Sequence, residues 1–323
     1  MKILITGVAG FIGSNLAGKL LESGCEVTGV DNFSYGFERN IRELKKSKKF
    51  FFIEGDIGDP DSLKNDKSDV VVHLASQKIP RYTNAFRTLE DNFNNLQNIV
   101  RKCVSDRSKL IFASTSDVYG KNSEVPFSET SDLVLGPTTI KRWAYAISKI
   151  YGEQYIIASH EESGLNYTIA RFFGAYGPNQ NLTWWGGPQS VFINKALLKE
   201  EMEIHGNGSQ TRTFTYIEDT VNGLIHLITN AKSDNQIFNV GSAHNCEISI
   251  IGLAKLIWKQ INGIKSNPRF RFIPYSDFGK YEDVMARVPD ISKMKEYFNY
   301  EPVWTLEEGL KETIVWQRKI MEQ

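Results

Sequence analysis

The sequence of the first 31 residues predicts, in this order, a strand, a glycine turn, a helix and a second strand that ends on Asp31. In the turn, Gly7 permits a tight bend, Gly10 lets the backbone approach a phosphate, and Gly13 lets the helix pack closely on the strand. A helix that begins at such a turn points its free N–H groups at a pyrophosphate. Asp31 is placed to accept hydrogen bonds from an adenosine ribose and would repel a 2′-phosphate. This order of elements therefore predicts a dinucleotide site that prefers NAD to NADP.

Charge balance and apolar stretches narrow the class of protein. Lysine plus arginine and aspartate plus glutamate both number 38 in 323 residues, so no global field attracts nucleic acid or an anionic membrane. The apolar start at residues 3–5 is too short for a signal sequence, and no later stretch is long enough to span a bilayer. We therefore expect a cytoplasmic protein with neither a nucleic-acid nor a membrane partner. Cys25, Cys103 and Cys246 lie far apart without metal-ligand spacing, so we expect buried or inert thiols and no metal site.

Strands and helices alternate along the chain. Strands are predicted at residues 2–6, 26–30, 50–53, 69–74, 109–113, 166–170 and 236–240, with helices at 12–22, 88–104 and 143–159 between them. This alternation predicts an α/β fold, a Rossmann-like doubly wound parallel sheet. Residues 176–188 read as a loop, and helices near 189–198, 249–260 and 306–321 indicate a smaller C-terminal α/β substrate-binding lobe. We therefore expect an NAD-binding domain at 1–175 and an interleaved substrate-binding lobe at 176–323, with the strand at 236–240 returning to the main sheet.

Tyr145 and Lys149 are spaced to share one face of a helix. An ammonium close to a phenol favours the phenolate, so Lys149 is expected to lower the pKa of Tyr145 toward that of a general base. Thr115 follows a predicted strand at the sheet edge where doubly wound folds bind their ligands. These three residues therefore predict a site where Tyr145 moves the proton of a hydroxyl that Thr115 binds.

Together these segments resemble the extended short-chain dehydrogenase/reductases that modify nucleotide sugars. Within that family they are similar to the UDP-glucose 4-epimerases. The resemblance extends over nearly the whole chain, and it implies NAD as cofactor and a UDP-sugar as substrate. The residues implied in cofactor binding are Gly7, Gly10, Phe11, Ile12, Gly13, Asp31, Asn32, Asp56, Ile57, Leu74, Ala75, Ser76, Tyr145 and Lys149.

The resemblance also implies roles for the catalytic and substrate-binding residues. Thr115, Tyr145 and Lys149 are expected to oxidise the sugar at C4, giving a 4-keto intermediate, with Asp117 as a further catalytic candidate. Thr115 and Ser116 are expected to contact the sugar, and Arg212 and Arg287 to clamp the diphosphate. The family also implies a homodimer through two helices, whose apolar positions include Leu96, Ile99, Val100, Ile147, Ile150 and Tyr151.

Three fates of the ketone are open: epimerisation at C4, decarboxylation at C5 and dehydration. Dehydratases of the family carry Thr-Asp-Glu where this chain has Thr115, Ser116 and Asp117, and a serine is a poor acid, so dehydration is disfavoured. Decarboxylases carry Thr-Ser-Glu, and they resemble this chain at residues 80–82 and 142–149 and at Arg287. Because an epimerase needs no extra acid or base, we rank epimerisation first and decarboxylation second. A catalytically silent protein that binds NAD or a nucleotide sugar is the alternative from another class.

Two features depart from the family. Gly174 stands where the family has an asparagine that contacts the substrate. Trp184 and Trp185 form an unusual aromatic loop, which either lines the sugar or uracil pocket by stacking or belongs to the core or a subunit contact. The identity of the sugar is therefore left open.

Overall fold

The computed structural model describes residues 1–78, 84–242 and 247–322. Thirteen strands lie in this part of the chain: β1 Lys2–Thr6, β2 Glu26–Asp31, β3 Phe50–Glu54, β4 Val70–His73, β5 Lys109–Thr115, β6 Tyr167–Phe172, β7 Ala175–Tyr176, β8 Met202–His205, β9 Thr211–Thr213, β10 Thr215–Tyr216, β11 Gln236–Val240, β12 Glu247–Ser249 and β13 Phe270–Ile273. The α-helices of the same residues are α1 Phe11–Glu22, α2 Glu38–Ile41, α3 Ala85–Asp106, α4 Trp143–Ser163, α5 Pro188–Leu198, α6 Ile217–Thr229, α7 Ile250–Asn262, α8 Ser292–Phe298 and α9 Leu306–Met321.

Seven parallel strands form the central sheet in the order β11-β6-β5-β4-β1-β2-β3. The alternating side chains of each strand enter two separate cores. Ile3 and Ile5 pack in the core that contains α1 and α6, whereas Leu4 packs in the core that contains α3 and α4. Helices therefore cover both faces, which explains the near-continuous apolar runs of these strands. The predicted doubly wound fold and the return of β11 to the sheet edge are confirmed.

The strand order reverses beside β1, which lies between β4 and β2. In open parallel sheets a crevice forms outside the carboxyl ends of the strands at such a reversal. The chain leaves β1 at Thr6 and β4 at His73, and these residues are paired neighbours in the sheet. The topology therefore places the glycine turn and the segment after β4 at the mouth of one crevice.

The C-terminal segment contains elements that the sequence analysis did not identify. Helix α6 packs on α1, and its apolar residues recur at helical spacing. Strands β8 and β13 pair in parallel although they lie far apart in the chain, and β9 pairs with β12. Because the pairing of distant short strands leaves no local signal, only α6 could have been found from its pattern. The boundary at residue 175 stays a prediction.

Several smaller expectations can be compared with the described residues. Cys103 is buried, which raises its pKa to about 12 and fits the expected inert thiol. Cys25 is half-buried and free, and its inertness stays a prediction. Cys246 and the segment 80–82 lie outside the described residues. No helix in the part of the chain that the structure describes is long and apolar enough to cross a bilayer.

Candidate active site

One cavity of about 610 Å³ opens at the carboxyl ends of the central strands. It brings together residues of β2, β5 and α4, the segments that follow β1 and β4, and the C-terminal segment. Every site residue predicted from the sequence lines it: Gly7, Gly10, Phe11, Ile12, Gly13, Asp31, Asn32, Asp56, Ile57, Leu74, Ala75, Ser76, Thr115, Ser116, Asp117, Tyr145, Lys149, Arg212 and Arg287. The sequence analysis gave no role to three further residues of the wall that matter below, which are Tyr35, Arg142 and Asp283.

The glycine turn has the geometry that a bound pyrophosphate requires. Gly7 has φ +73°, and a Cβ there would meet the backbone nitrogen of Ala75 at 3.0 Å. A Cβ on Gly13 would lie 2.3 Å from the carbonyl oxygen of Gly7, so only glycine allows α1 to approach β1 so closely. Helix α1 begins after Gly10 with no side-chain cap, which leaves its first N–H groups available to an anion. These residues fit a dinucleotide.

Asp31 is held by the backbone at the tip of β2. One carboxylate oxygen accepts a hydrogen bond from the N–H of Ala9 at 2.9 Å, and the other accepts one from the N–H of Phe33 at 2.8 Å. Burial raises the pKa of Asp31, and these two backbone bonds oppose that rise. Each oxygen keeps a further lone pair, so the carboxylate can accept more hydrogen bonds, and its role in binding ribose stays a prediction.

Thr115, Tyr145 and Lys149 converge on one wall of the cavity. Lys149 donates a hydrogen bond to the carbonyl oxygen of Ala113 at 2.8 Å, and its Nζ lies 5.9 Å from the centre of the Tyr145 ring. The hydroxyls of Thr115 and Ser76 both bond to the phenol of Tyr145. Thr115 also donates to Asp117 at 3.2 Å. The geometry places a proton acceptor beside the hydroxyl donors that could hold a substrate oxygen.

The protein groups alone do not lower the pKa of Tyr145, so this part of the sequence prediction is wrong. Burial and the charge of Asp117 raise that pKa, and they outweigh the hydrogen bonds from Thr115 and Ser76 and the charge of Arg287, which lower it. Burial also lowers the pKa of Lys149 to about 7. The sequence analysis considered the positive charge of Lys149 but not desolvation. Desolvation disfavours both the phenolate of Tyr145 and the ammonium of Lys149.

Three arginines and two aspartates form an ion cluster beside this wall: Asp117, Arg142, Arg212, Asp283 and Arg287. Asp117 accepts hydrogen bonds from Arg287 at 2.5 Å and from Arg142 at 3.3 Å through one oxygen. Asp283 accepts from Arg142 at 3.1 Å and from Arg212 at 3.0 Å. The side chains of the arginines are only 11–16% exposed. The cluster carries one more positive than negative charge, which an anionic ligand can balance.

Asp117 is ionised at neutral pH. Burial would raise its pKa, but the charges of Arg287 and Arg142 outweigh burial and lower the pKa to about 2. A carboxylate with such a low pKa is a weak base. It carries no proton at pH 7, so it cannot protonate a leaving hydroxyl. The expectation that dehydration is disfavoured rests on Ser116 and stays a prediction.

The backbone explains why glycine replaces asparagine at position 174. Gly174 has φ +50°, and a Cβ there would lie 2.1 Å from the carbonyl oxygen of Thr213. The Gly174 carbonyl also accepts a hydrogen bond from the N–H of Thr215 at 3.1 Å, which fixes this approach. The backbone that follows Arg212 therefore occupies the space that a side chain at position 174 would need.

Replacing Gly174 by alanine is expected to destabilise the protein by about 3 kcal/mol, because overpacking adds to the strain of the left-handed backbone. Gly164 is the matched control: it has φ +68°, but nothing lies within 4 Å of its added Cβ. Gly164→Ala should therefore lose only about 1 kcal/mol. Urea unfolding of both variants measures the difference, and equal losses would contradict the steric explanation.

The two tryptophans of the loop before α5 have different surroundings. Trp184 stacks on His205 with ring centroids 4.3 Å apart and packs edge-on against Phe192 of the core. Trp185 contacts Tyr35, which follows β2, with ring centroids 4.3 Å apart. Both tryptophans line the cavity. Trp184 thus belongs to the core and to the cavity wall, while Trp185 joins the two sides of the crevice.

The sequence profile of the Epimerase family, described as the NAD dependent epimerase/dehydratase family, matches residues 3–241. Among curated proteins, the chain is 37% identical to UDP-N-acetyl-alpha-D-glucosaminuronate decarboxylase of Bacillus cytotoxicus, covering 99% of this chain and 98% of the relative. It is 36% identical to UDP-glucuronic acid decarboxylase 1 of Xenopus tropicalis, covering 99% of this chain and 73% of the relative.

Solved structures give the same family from the fold. The UDP-glucose 4-epimerase of Thermotoga maritima with UDP-glucose superposes with a TM-score of 0.87 at 31% identity, covering 99% of this chain and 100% of that one. The UDP-glucuronic acid 4-epimerase of Bacillus cereus, in complex with UDP-glucuronic acid and NAD, has a TM-score of 0.87 at 28% identity and the same coverage. Among the described residues no cluster of histidine, cysteine or acidic side chains could hold a metal ion.

Proposed function

This chain belongs to the NAD dependent epimerase/dehydratase family, and from that membership we propose that it uses NAD to decarboxylate a UDP-linked hexuronate. The substrate class is UDP-glucuronate or its N-acetylglucosaminuronate counterpart, the two that the similar decarboxylases are named for. The sequence alone ranks epimerisation above decarboxylation. The ion cluster favours a hexuronate over a neutral hexose, because the C5 carboxylate adds a second anion beside the diphosphate for its arginines. We rank decarboxylation of that hexuronate first because the similar curated proteins are named decarboxylases.

The observation that carries the proposal is the position of Arg142 and Arg287. Both arginines contact Asp117, which in turn accepts the hydrogen bond of Thr115. Their guanidinium groups are therefore one side chain away from the hydroxyl donors of the site. A carboxylate on C5 of a sugar held by Thr115 and Tyr145 would lie on this side and would receive charge-assisted hydrogen bonds. We assign the diphosphate to Arg212, on the far side of Asp283.

NAD would lie along the glycine turn and Asp31 with its nicotinamide toward Tyr145. When bound, NAD supplies the hydride acceptor for C4 and a positive charge that favours the phenolate of Tyr145. That charge compensates for the burial that raises the pKa of Tyr145. The chain contributes orientation and the base.

Tyr145, Thr115 and Asp117 then have separate roles in the reaction. Tyr145 removes the proton of the 4-hydroxyl while Thr115 holds its oxygen. Oxidation at C4 turns the C5 carboxylate into that of a β-keto acid, so the electrons of the C–CO₂ bond move toward the C4 oxygen as carbon dioxide leaves. The hydroxyl of Tyr145, which now carries the proton of the 4-hydroxyl, donates to the negative oxygen that forms. Asp117 stays ionised and orients Thr115, and water protonates C5. Tyr145 would return its proton to the C4 oxygen when NAD, once bound, supplies the hydride to C4.

UDP-uronate 4-epimerisation is the second candidate, favoured by the likeness to the epimerase from Bacillus cereus. It would use the same first step and the same arginines, but the carboxylate would be retained. Purified protein incubated with NAD and UDP-glucuronate, UDP-N-acetylglucosaminuronate or UDP-glucose separates the two reactions by product mass. Loss of one carbon dioxide supports decarboxylation. An unchanged mass with an inverted C4 proton signal in NMR establishes epimerisation instead.

We propose that the pair of Tyr35 and Trp185 slows the release of NAD. Tyr35 belongs to the loop after β2 and Trp185 to the loop before α5, so their contact crosses the dinucleotide end of the cavity. Trp185→Ala is expected to raise the rate of NAD loss about 5-fold, since an aromatic pair contributes about 1 kcal/mol. Tyr35→Phe keeps the ring and should release NAD at the wild-type rate. A wild-type rate in Trp185→Ala, measured by dilution into a trap, would contradict this role.

The homodimer expected from the family needs one correction to its interface. Leu96, Ile99 and Val100 are buried inside the chain between α3 and the sheet, so they cannot meet a second subunit. Phe86 is 63% exposed on α3 and Ile147 is 37% exposed on α4. We propose that this outer face forms the dimer. Light scattering should give twice 36.7 kDa for the wild type and a monomer for Phe86→Glu, and a monomeric wild type would reject the proposal.

A further inference from the structure

A buried acid lies behind the catalytic wall, and the proposed mechanism does not use it. Glu153 follows Lys149 by one helical turn on α4 and is 3% exposed. One carboxylate oxygen accepts hydrogen bonds from Ser114 at 2.5 Å and from Arg171 Nε at 3.0 Å, and the other accepts from Arg171 Nη2 at 2.6 Å. Such a complete set of partners indicates a fixed side chain.

These contacts connect Glu153 to both catalytic elements. Ser114 lies between Ala113, whose carbonyl accepts the hydrogen bond of Lys149, and Thr115. Gly152 lets α4 approach β5 this closely, because a Cβ there would lie 2.7 Å from the ring of Phe112. Glu153 therefore bonds the carboxyl end of β5 to the helix that carries Tyr145 and Lys149.

We infer that Glu153 is a positioning residue that holds Lys149 in its protonated form and fixes the end of β5 at which Thr115 stands. Burial favours the neutral amine of Lys149, and the negative charge of Glu153 opposes that effect. Tyr145 and Lys149 titrate as a pair, and the pair is active only when the phenol has lost its proton and the amine has kept its own. Glu153 favours that distribution.

Three charged or titratable groups near Lys149 keep one charge state around neutral pH. His73, at the end of β4, has its pKa lowered to about 3 by burial, so it stays neutral. Asp117 has its pKa lowered to about 2 by its arginines, and the pKa of Arg171 on β6 is raised by Glu153. Lys78, which lines the cavity, has its pKa lowered to about 8 by burial, and the charge of Asp117 opposes that effect. Because Lys78 is unchanged in Glu153→Gln, a difference between the pH profiles of that variant and the wild type from about pH 6 to 9 reports on Tyr145 and Lys149.

The inference rests only on the first step of the proposed function, oxidation at C4, which decarboxylase and epimerase share. Reduction of bound NAD by the UDP-sugar is therefore measured from pH 6 to 9 in Glu153→Gln, Glu153→Asp and the wild type. Glu153→Gln should lose about 3-fold in rate at pH 6 and about 30-fold at pH 9, with little change in KM, because at high pH the proton leaves Lys149 in place of Tyr145. Glu153→Asp keeps the charge and should recover the wild-type pH profile. An equal loss at every pH would overturn the electrostatic role.

A substrate-free measurement keeps the inference separate from the choice of reaction. The ultraviolet difference between each protein and its Tyr145→Phe variant reports the tyrosinate of Tyr145. That signal should appear at higher pH in Glu153→Gln than in the wild type, and an unchanged titration would reject the inference even if no sugar is turned over.

Ser114→Ala provides the test where loss of the buried charge prevents folding, because it leaves the ion pair of Glu153 and Arg171 intact. Its rate should fall about 5-fold and its thermal midpoint by only about 2 °C, since a hydrogen bond contributes about 1 kcal/mol. Ser159→Ala is the control, as its hydroxyl bonds only to the backbone of Tyr155 on the same helix. Equal rates in the two variants would reject the positioning of β5.

Discussion

Tyr145→Phe is expected to lose about 10³-fold in turnover while it still binds NAD, because a positioned general base contributes about that factor. The phenol forms hydrogen bonds with the hydroxyls of Thr115 and Ser76, and it lies beside Lys149. Phenylalanine keeps the ring and its packing and removes only the hydroxyl. The rate of NAD reduction by UDP-glucuronate measures the effect.

Tyr155→Phe is the matched control for this substitution. Tyr155 also lies on α4, but its ring stacks on Tyr151 with centroids 5.7 Å apart, away from the cavity. Its variant should turn over substrate at the wild-type rate. If Tyr145→Phe keeps more than a tenth of wild-type activity, another group removes the proton and the mechanism is wrong.

Arg287→Gln is expected to weaken the binding of UDP-glucuronate about 100-fold, since a hydrogen bond between charged groups contributes about 1.5–3 kcal/mol. The binding of UDP-glucose, which lacks the carboxylate, should weaken less than 10-fold. This difference distinguishes a carboxylate contact from the diphosphate clamp that the sequence predicts for Arg287. A clamp of the diphosphate would weaken both ligands equally. Arg271→Gln, on a side chain that is 59% exposed, controls for the loss of one positive charge.

The same variant changes the acid side of the pH profile. Among the cations that lower the pKa of Asp117, Arg287 has the largest effect. Without it, that pKa should rise from about 2 toward the ordinary 3.8. Because Asp117 orients Thr115 only when ionised, activity is lost as the pH falls through its pKa. The loss should therefore begin at higher pH in Arg287→Gln than in the wild type, and identical acid limbs would exclude Asp117 from the reaction.

Local signals predicted much of the fold and the dinucleotide part of the site. The glycine turn, the apolar strands and the spacing of Tyr145 and Lys149 each depend on neighbours within a few residues. The ion cluster does not, because Arg142 and Asp283 are 141 positions apart and Asp283 lies outside any regular element. The contact of Tyr35 with Trp185 joins distant loops in the same way. Only the fold brings such pairs together.

The charge states could not be predicted from spacing either. The helical spacing of Tyr145 and Lys149 suggested that one charge lowers the other's pKa, but the depth of burial decides the sign for both. Glu153 was overlooked for a related reason, since nothing in its sequence position shows that Ser114 and Arg171 meet it. The cytoplasmic location stays a prediction.

The central claim is that C4 is oxidised and restored while the carboxylate leaves C5. UDP-glucuronate labelled with deuterium at C4 and carbon-13 at C6 tests it in one incubation with the NAD-loaded protein. The claim predicts labelled carbon dioxide and a UDP-pentose that retains deuterium at C4. Deuterium retained at C4 together with carbon-13 still in the product would contradict decarboxylation, and deuterium lost to water would contradict hydride transfer at C4.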